Sequence, residues 1–157
     1  MARREGWALV PYKDGDVLIV RVDPFDRVTG PLFPYMIKRM MDFARIHIPE
    51  KNPEAQVRDH AMRACAGDPK FLLLAFLAPD GRLIGHATSL IQEDYGTKWL
   101  FVTQCKLDEP GGDVMDRAIQ LGKDFARKHG AVGIDMLTKR SDGAWARAYG
   151  FKTMRHL

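Results

Sequence analysis

Residues 71–107, FLLLAFLAPDGRLIGHATSLIQEDYGTKWLFVTQCKL, decide the fold of this chain. They contain three runs of apolar and β-branched residues, separated by Asp80-Gly81 and by Glu93-Asp94-Tyr95-Gly96. An Asp-Gly pair between two apolar runs is the strongest short-range signal for a β-hairpin. We therefore expect three consecutive antiparallel strands over residues 71–78, 82–91 and 98–107.

A glycine-rich turn and a long amphipathic helix are predicted after the third strand. Gly111 and Gly112 precede Asp113, which is a suitable N-cap. Apolar residues then recur at helical spacing as far as Lys128, and Gly130 suits the position that ends a helix. These apolar residues are Val114, Ala118, Leu121 and Phe125.

A strand, a glycine turn and a helix in this order can bind an anion. The first amides of a helix are unpaired and the helix dipole is positive there, so the amides of Asp113, Val114 and Met115 would bind it. The carboxylates of Asp108, Glu109 and Asp113 oppose phosphate at the same place. These residues alone support phosphate binding and a plain loop before a capped helix about equally.

One strand and two helices are predicted before the three strands. Residues 17–22 are mostly β-branched and lie between Asp16 and Asp23-Pro24, which favours a strand covered on both faces. Residues 35–46 carry apolar side chains, several of them methionines, at helical spacing toward the interior. Asn52-Pro53 supplies the N-cap and first-turn proline of a second helix that ends near Ala66. Residues 1–15 are predicted as an N-terminal extension.

The remaining segments complete a single domain over residues 1–157. Residues 131–137 are predicted as a strand, 143–149 as a short helix and 151–157 as a short C-terminal strand. With 46% hydrophobic and 28% charged residues, the chain has the composition of one globular domain. The expected fold class is α/β (α+β), a single mixed, mostly antiparallel sheet flanked by helices.

Charge and cysteine content exclude several classes of function. The formal net charge is +4, and the basic residues occur as scattered pairs among acids, which argues against nucleic acid as the partner. Cys65 and Cys105 lie far apart without metal-ligand spacing, so we expect neither a metal site nor a disulfide. The longest apolar run is too short to span a membrane, and no secretory signal develops, so we expect a cytoplasmic protein.

From Val17 to the C-terminus the layout resembles the GNAT superfamily of N-acetyltransferases. Residues 147–151, RAYGF, are similar to the family's closing helix and the Gly-Phe that follows it. The three strands, the glycine turn and the long helix resemble its acetyl-CoA-binding core. The resemblance implies an acyl-CoA N-acyltransferase-like fold and direct transfer of an acetyl group from acetyl-CoA to a primary amine. The amine acceptor, a small molecule or a protein, has no sequence motif.

The resemblance also implies a set of cofactor-binding residues. Backbone groups of the third strand would bind the pantetheine arm. Amides of the turn would bind the pyrophosphate, and the segment after residue 137 would contact the phosphates of the cofactor. These positions are Thr103, Gln104, Cys105, Lys106, Leu107, Gly111, Gly112, Asp113, Val114, Arg140 and Ser141. For Arg140 and Ser141 a plain solvated turn is an equally good interpretation, and Cys105 is also expected to be a small apolar residue of the sheet.

Three residues are candidates for the acid or base of the transfer. His86 could be a base in a cleft, although a lone histidine in a strand is more often a hydrogen-bonded packing residue. Glu93 could position the amine or assist the transfer as an acid, with a water relay as the alternative, although acids at a hairpin are commonly solvated. Tyr149 could be the acid, although packing is the commoner role at its place on a short helix.

Departures from the family pattern support a second hypothesis. The usual turn, Gln/Arg-x-x-Gly-x-Gly/Ala, is replaced by LDEPGG at residues 107–112, which keeps only the last glycine. Ala146 occupies the position of the family's usual acid, a tyrosine. The alternative is a catalytically degenerate GNAT-fold module for interaction or structure. Such a module could be a homodimer through its C-terminal edge, since an unpaired edge invites strand addition.

Overall fold

Six strands in the described part of the chain form one sheet, and their order in space follows their order in the sequence. The computed structural model describes residues 6–13, 15–109 and 112–136. The strands are β1 (Ala8–Tyr12), β2 (Gly15–Arg21), β3 (Phe71–Leu77), β4 (Leu83–Asp94), β5 (Thr97–Leu107) and β6 (Ile134–Met136). The helices are α1 (Phe33–His47), α2 (Pro53–Cys65) and α3 (Gly112–Lys128). Neighbouring strands are antiparallel from β1 to β5, while β5 and β6 are parallel. The predicted mixed, mostly antiparallel sheet flanked by helices is confirmed.

The three strands predicted in the middle of the chain are confirmed as β3, β4 and β5. Gly81, at φ 90°, lies in the turn between the first two. Tyr95 and Gly96, at φ 52° and 82°, form a two-residue turn between Asp94 and Thr97. This hairpin is tighter than predicted because both turn residues adopt left-handed backbone, which matches the twist of the flanking strands.

The helices predicted over 35–46, from Asn52 to about Ala66 and from Asp113 to Lys128 are also confirmed. Asn52 caps α2 with its side-chain oxygen, which accepts a hydrogen bond of 3.2 Å from the amide of Ala55. In α1 the buried residues are Met36, Met40 and Ala44, one helical turn apart. These residues face the sheet, so the methionines line the interior as predicted.

A hydrophobic core lies on each face of the sheet. The four apolar positions predicted for α3 are buried against one face, together with Val17, Ile19, Leu72 and Leu74. Helices α1 and α2 cover the other face, where they pack on Val20, Leu73 and Ala75. The β2 and β3 strands are therefore buried on both faces, as their continuous apolar sequences indicate.

The N-terminal segment differs from the prediction. Ala8–Tyr12 is not an extension but β1, the first strand of the sheet, and it pairs with β2 from Ala8 opposite Ile19 to Tyr12 opposite Gly15. Pro11 weakens the sequence signal, since proline cannot donate a ladder hydrogen bond. A strand at the edge tolerates proline, because one side of its backbone needs no partner strand.

The last described strand begins at Ile134, three residues later than the predicted start at residue 131. Gly130, at φ 74°, ends α3, and the amide of Ala131 donates to the carbonyl of Ala126 over 2.8 Å. Gly133 packs beneath Trp99, where a Cβ would lie 2.7 Å from the indole ring. Backbone hydrogen bonds to β5 begin at Val132, whose amide donates to the carbonyl of Lys98, and the strand itself begins at Ile134. The predicted helix at 143–149 and strand at 151–157 lie outside the described residues.

Candidate functional site

A β-bulge in β5 shapes the candidate site. Thr88 of β4 lies opposite Gln104, and the next residue, Ser89, lies opposite Val102, so Thr103 is an extra residue in β5. A bulge of this kind redirects a side chain that regular alternation would send to the other face. Thr103 and Gln104 consequently both reach toward α2.

Gln104 is at the centre of a buried hydrogen-bond network. Its side-chain nitrogen donates to the carbonyl of Met40 over 3.1 Å and to Oε1 of Gln56 over 2.8 Å. Its Oε1 is 2.8 Å from Nε2 of His86, which must therefore donate a hydrogen. The other ring nitrogen, Nδ1, then accepts from Nε of Arg39 at 3.4 Å. Both nitrogens of this imidazole thus have partners.

Burial makes His86 a weak base. The side chain has no exposed surface, and desolvation lowers its pKa from 6.5 to about 4, although Gln104 opposes the shift. A neutral histidine with this pKa has little affinity for a proton at neutral pH. The geometry favours the hydrogen-bonded packing role, one of the two alternatives for this residue, and His86 ties α1 to β4.

A second buried histidine, which sequence analysis missed, lies at the bulge. His60 of α2 is 2% exposed, and its Nε2 is 2.7 Å from Oγ1 of Thr103. Its Nδ1 is 3.1 Å from Oδ2 of Asp59, and Oγ1 of Thr103 is 2.6 Å from Oγ1 of Thr88. These four side chains form a continuous hydrogen-bonded chain, called here the His60 chain.

The sequence contains one signal that points to His60. Val57, His60 and Ala64 recur at helical spacing on the buried face of α2. A polar residue within an apolar helical stripe must find hydrogen-bond partners inside the protein. The pattern predicts the burial of His60, but it does not reveal which residue of the sheet the imidazole contacts.

The acids of the turn after β5 are already held by other side chains. Both guanidinium NH groups of Arg39 bond the carboxylate of Asp108, at 2.8 and 3.0 Å, and hold its pKa below the ordinary value. Oε2 of Glu109 accepts a hydrogen bond of 2.6 Å from the hydroxyl of Tyr12 and lies 3.8 Å from Nζ of Lys13. Two of the three carboxylates that oppose an anion at this turn are therefore paired.

A small apolar cleft lies between α3 and the face of the sheet formed by β3, β4, β5 and β6. Val102, Cys105, Met115, Ile119 and Ile134 are among the residues that line it. Burial raises the pKa of the Cys105 thiol to about 12, so the sulfur remains a thiol and contributes an apolar wall. The cleft suits a flexible, largely uncharged chain rather than an ion.

Glu93 lies far from the bulge at Thr103. Glu93 is exposed and pairs with Lys98 near the tip of the β4–β5 hairpin. It lies five residues beyond Thr88 along β4, about 17 Å from the bulge at ~3.4 Å per residue.

The remaining predicted site residues follow the turn and α3. Lys106 is exposed and Leu107 half-buried at the end of β5, while α3 begins at Gly112 with Asp113 exposed and Val114 buried. Another group of predicted residues lies outside the described part of the chain: Gly111, Arg140, Ser141 and Tyr149.

Two further properties concern the described residues as a whole. Within residues 6–13, 15–109 and 112–136, no three His, Cys, Asp or Glu side chains are grouped so that they could hold a metal ion. No helix in these ranges has the length and apolar character needed to cross a membrane.

Comparison with known proteins gives matches among solved structures alone. No protein-family model and no curated protein matches the chain. A probable acetyltransferase is 16% identical with a TM-score of 0.65, covering 87% of this chain and 91% of its own. Glucosamine-6-phosphate N-acetyltransferase from Arabidopsis thaliana is 7% identical with a TM-score of 0.62, covering 90% of this chain and 95% of its own.

A third structure was solved with a ligand. AAC(6')-Iy, in complex with the bisubstrate analogue CoA-S-monomethyl-acetylneamine, is 16% identical with a TM-score of 0.64. The match covers 90% of this chain and 95% of that protein. At these identities the likeness establishes the fold alone. The three solved structures share that fold.

Proposed function

Because this chain has the GNAT N-acetyltransferase fold, we propose that it transfers the acetyl group of acetyl-CoA to a primary amine. Acetyl-CoA would supply an acetyl thioester as the electrophile. The protein would bind the two substrates side by side and exclude water, so that the amine nitrogen attacks directly. The acceptor is a small-molecule or protein amine.

The observation that carries this proposal is the apolar cleft between α3 and the sheet. Cys105 of β5 lines this cleft, and the backbone groups of residues 103–107 would bind the amides of a pantetheine arm. The apolar cleft beside them, lined by Cys105 and Met115, would hold the methylene groups of the same arm.

The turn and α3 complete the binding site at the phosphate end. Helix α3 spans Gly112–Lys128, and its N-terminus places the positive end of the helix dipole, and amides that have no partner within the helix, at the turn. Arg39 and Tyr12 hold Asp108 and Glu109, which reduces the repulsion that these acids would exert on a pyrophosphate. The residues present therefore fit CoA despite the unusual turn sequence.

The structural neighbours support the choice of substrates. One is named a glucosamine-6-phosphate N-acetyltransferase, and AAC(6')-Iy was solved with an analogue that joins CoA to an acetylated neamine. The first name refers to acetylation of an amino group, and the second structure contains an analogue of CoA joined to an acetylated amine. We carry only the reaction class to this protein, since acceptor pockets vary within a fold.

Isothermal titration with acetyl-CoA and with CoA tests the proposal. We expect micromolar binding by the natural chain and at least a tenfold weaker Kd for Gly112→Asp, because a carboxylate would lie where the pyrophosphate binds. Gly112→Ala is the matched control, since it changes the same residue without adding charge. Release of free thiol with a panel of primary amines would then measure the transfer.

The catalytically degenerate module is the alternative outcome of the same titration. Absence of binding at millimolar acetyl-CoA and CoA would contradict the enzyme and favour this module. A homodimer through the C-terminal edge is the corresponding partner proposal, and light scattering of the full chain measures it. A strictly monomeric chain would remove the homodimer from consideration.

A further inference from the structure

Ser89 of β4 places a hydroxyl on the wall of the apolar cleft. In the sheet it lies opposite Leu72 of β3 and Val102 of β5, and all three residues line the cleft. The other side chains on the described cleft walls are aliphatic or contain sulfur. The cleft therefore has one polar oxygen on a surface of apolar groups.

The Ser89 hydroxyl is buried and has no hydrogen-bond partner among the described residues. Ser89 is 6% exposed. The other buried polar residues in the described part of the chain each form at least one side-chain hydrogen bond: Thr29, His60, His86, Thr88 and Gln104. Since buried polar groups in proteins are almost always hydrogen-bonded, such an exception is typical of a group that pairs with a ligand or a water molecule.

A single water molecule would be a poor partner at this position. A buried water needs about 2–4 polar contacts, and the side chains of the cleft walls offer one hydroxyl. The β4 strand that carries Ser89 pairs with β3 on one side and with β5 on the other, so its backbone groups are engaged in the sheet. A molecule with apolar segments for the walls and a polar group for Ser89 fits the cleft better.

The cleft extends along α3 from the end where the phosphates of CoA are proposed to bind. Cys105 and Met115, whose sulfur atoms are 3.6 Å apart, line it near the β5–α3 turn. Gly122 lines it about 10 Å further along the helix axis, at ~1.5 Å per residue from Met115. Ala118 and Gly122 lie one turn apart on this face of α3, and their small size leaves room between the helix and Ser89.

We propose that the Ser89 hydroxyl donates a hydrogen bond to an amide carbonyl of the pantetheine arm of CoA. This inference rests on the proposed function and adds a side chain that recognises the arm, beyond the backbone groups of β5. The pantetheine arm alternates methylene groups with amides, which matches a hydroxyl among apolar walls. A serine hydroxyl has one hydrogen to donate, and no described residue accepts it.

The group that meets Ser89 belongs to the arm and not to the amine acceptor. None of the described residues that line the cleft is acidic or basic. An amine or ammonium group would lose its hydration beside Ser89 with no carboxylate to pair with it, which is costly in an apolar site. Ser89 is therefore a binding residue that selects for the donor, and it takes no part in the transfer step.

Titration with ligands that contain or lack the arm tests the proposal in the full chain. The ligands are acetyl-CoA, CoA, pantetheine and ADP, of which only ADP lacks the arm. Ser89→Ala should weaken the Kd of each of the first three by about 5- to 100-fold, as expected when a buried amide loses its partner. The Kd of ADP should change less than about twofold. If pantetheine alone binds too weakly to measure, acetyl-CoA and ADP decide the question.

Two further variants control for shape and for the loss of any hydroxyl. Ser89→Cys keeps a side chain of similar shape with a weak donor, so it should weaken acetyl-CoA binding as Ser89→Ala does. Thr88→Val removes the neighbouring hydroxyl on the opposite face of β4, which already bonds Oγ1 of Thr103 at 2.6 Å. Its Kd for acetyl-CoA should stay within about threefold of the natural value.

Thermal unfolding of the ligand-free protein gives a readout independent of ligand binding. Ser89→Ala removes a buried hydroxyl that has no partner, so Tm should be unchanged or higher. Thr88→Val breaks an existing hydrogen bond, so Tm should fall. Saturating acetyl-CoA should raise the Tm of the natural chain by more than that of Ser89→Ala, because the natural chain binds more tightly.

The results distinguish failure of this inference from failure of the proposed function. If the natural chain binds acetyl-CoA and Ser89→Ala binds it equally well, only the role of Ser89 is wrong. A lower Tm of ligand-free Ser89→Ala in that case would show that the hydroxyl holds a buried water only. If the natural chain binds neither acetyl-CoA nor CoA, the proposed function fails and the role of Ser89 fails with it.

Discussion

Gly85 tests how closely β3, β4 and β5 are packed beside the proposed pantetheine site. A Cβ built on Gly85 would lie 2.5 Å from Cδ2 of Phe76 and 2.6 Å from the backbone oxygen of Lys106. Phe76 is fully buried, and a backbone atom cannot move without displacing its strand. Gly85→Ala therefore forces β5 or the Phe76 ring to shift.

The expected effect is a loss of stability. Inserting a methyl group into a packed core costs about 1–3 kcal/mol. Restriction of the unfolded chain by alanine offsets about 0.4–1 kcal/mol of this cost. We expect a net decrease of about 1–2 kcal/mol in the free energy of unfolding, which lowers Tm by about 2–8 °C for a domain of this size.

Gly122→Ala is the matched control, because it adds the same methyl group on the facing helix. A Cβ on Gly122 would lie 3.6 Å from Cδ2 of Leu100, an ordinary van der Waals contact. Alanine in place of glycine within a helix stabilises by about 0.5–1 kcal/mol. Urea and thermal unfolding followed by circular dichroism measure both variants.

The two variants should change stability in opposite directions. A Gly85→Ala protein as stable as the natural chain would refute the packing argument. Because Lys106 belongs to the stretch proposed to bind pantetheine, Gly85→Ala should also weaken acetyl-CoA binding in the titration, whereas Gly122→Ala is not expected to displace the β5 backbone.

Two further predictions concern the ionisable groups around the site. The pKa of His86 is 6.5 in an unfolded chain and about 4 in the folded one, so its contribution of about 3 kcal/mol is present above pH 6.5 and is lost as the pH falls toward 4. Urea midpoints across this range should show a shallower pH dependence for His86→Gln, and equal slopes would contradict the assignment. Arg39→Met should weaken acetyl-CoA binding several-fold because it frees the Asp108 carboxylate, and adding Asp108→Asn should restore it. A double variant that binds no better than Arg39→Met would show that the two side chains do not act through charge.

Much of the fold could be predicted because its signals are local. The Asp80-Gly81 pair and the apolar runs around it define β3, β4 and β5, and the helical spacing from Val114 to Phe125 defines the buried face of α3. The GNAT fold, expected from the resemblance, is confirmed by the solved structures. β1 was missed because Pro11 is disfavoured in most strands and only its position at the sheet edge permits it.

The candidate site was less predictable because it depends on pairing between distant segments. The bulge at Thr103 exists only because β4 and β5 differ in register by one residue, and neither strand alone contains that information. Thr103 was therefore predicted to contribute its backbone, while the contact of its hydroxyl with His60 was missed. For His86 the sequence left two roles open, a base and a packing residue. The folded structure decides between them, because Gln104 and Arg39 form hydrogen bonds with both ring nitrogens.

The order of the strands has a consequence for folding during synthesis. Each strand pairs with the one that precedes it in the chain, from β1 through to β6. A chain that emerges from the ribosome can thus extend its sheet outward from the β1–β2 hairpin, since every new strand finds its partner already made. Among the described residues no strand is inserted between two others, so the part of β5 proposed to bind acetyl-CoA forms late, on strands that are already assembled.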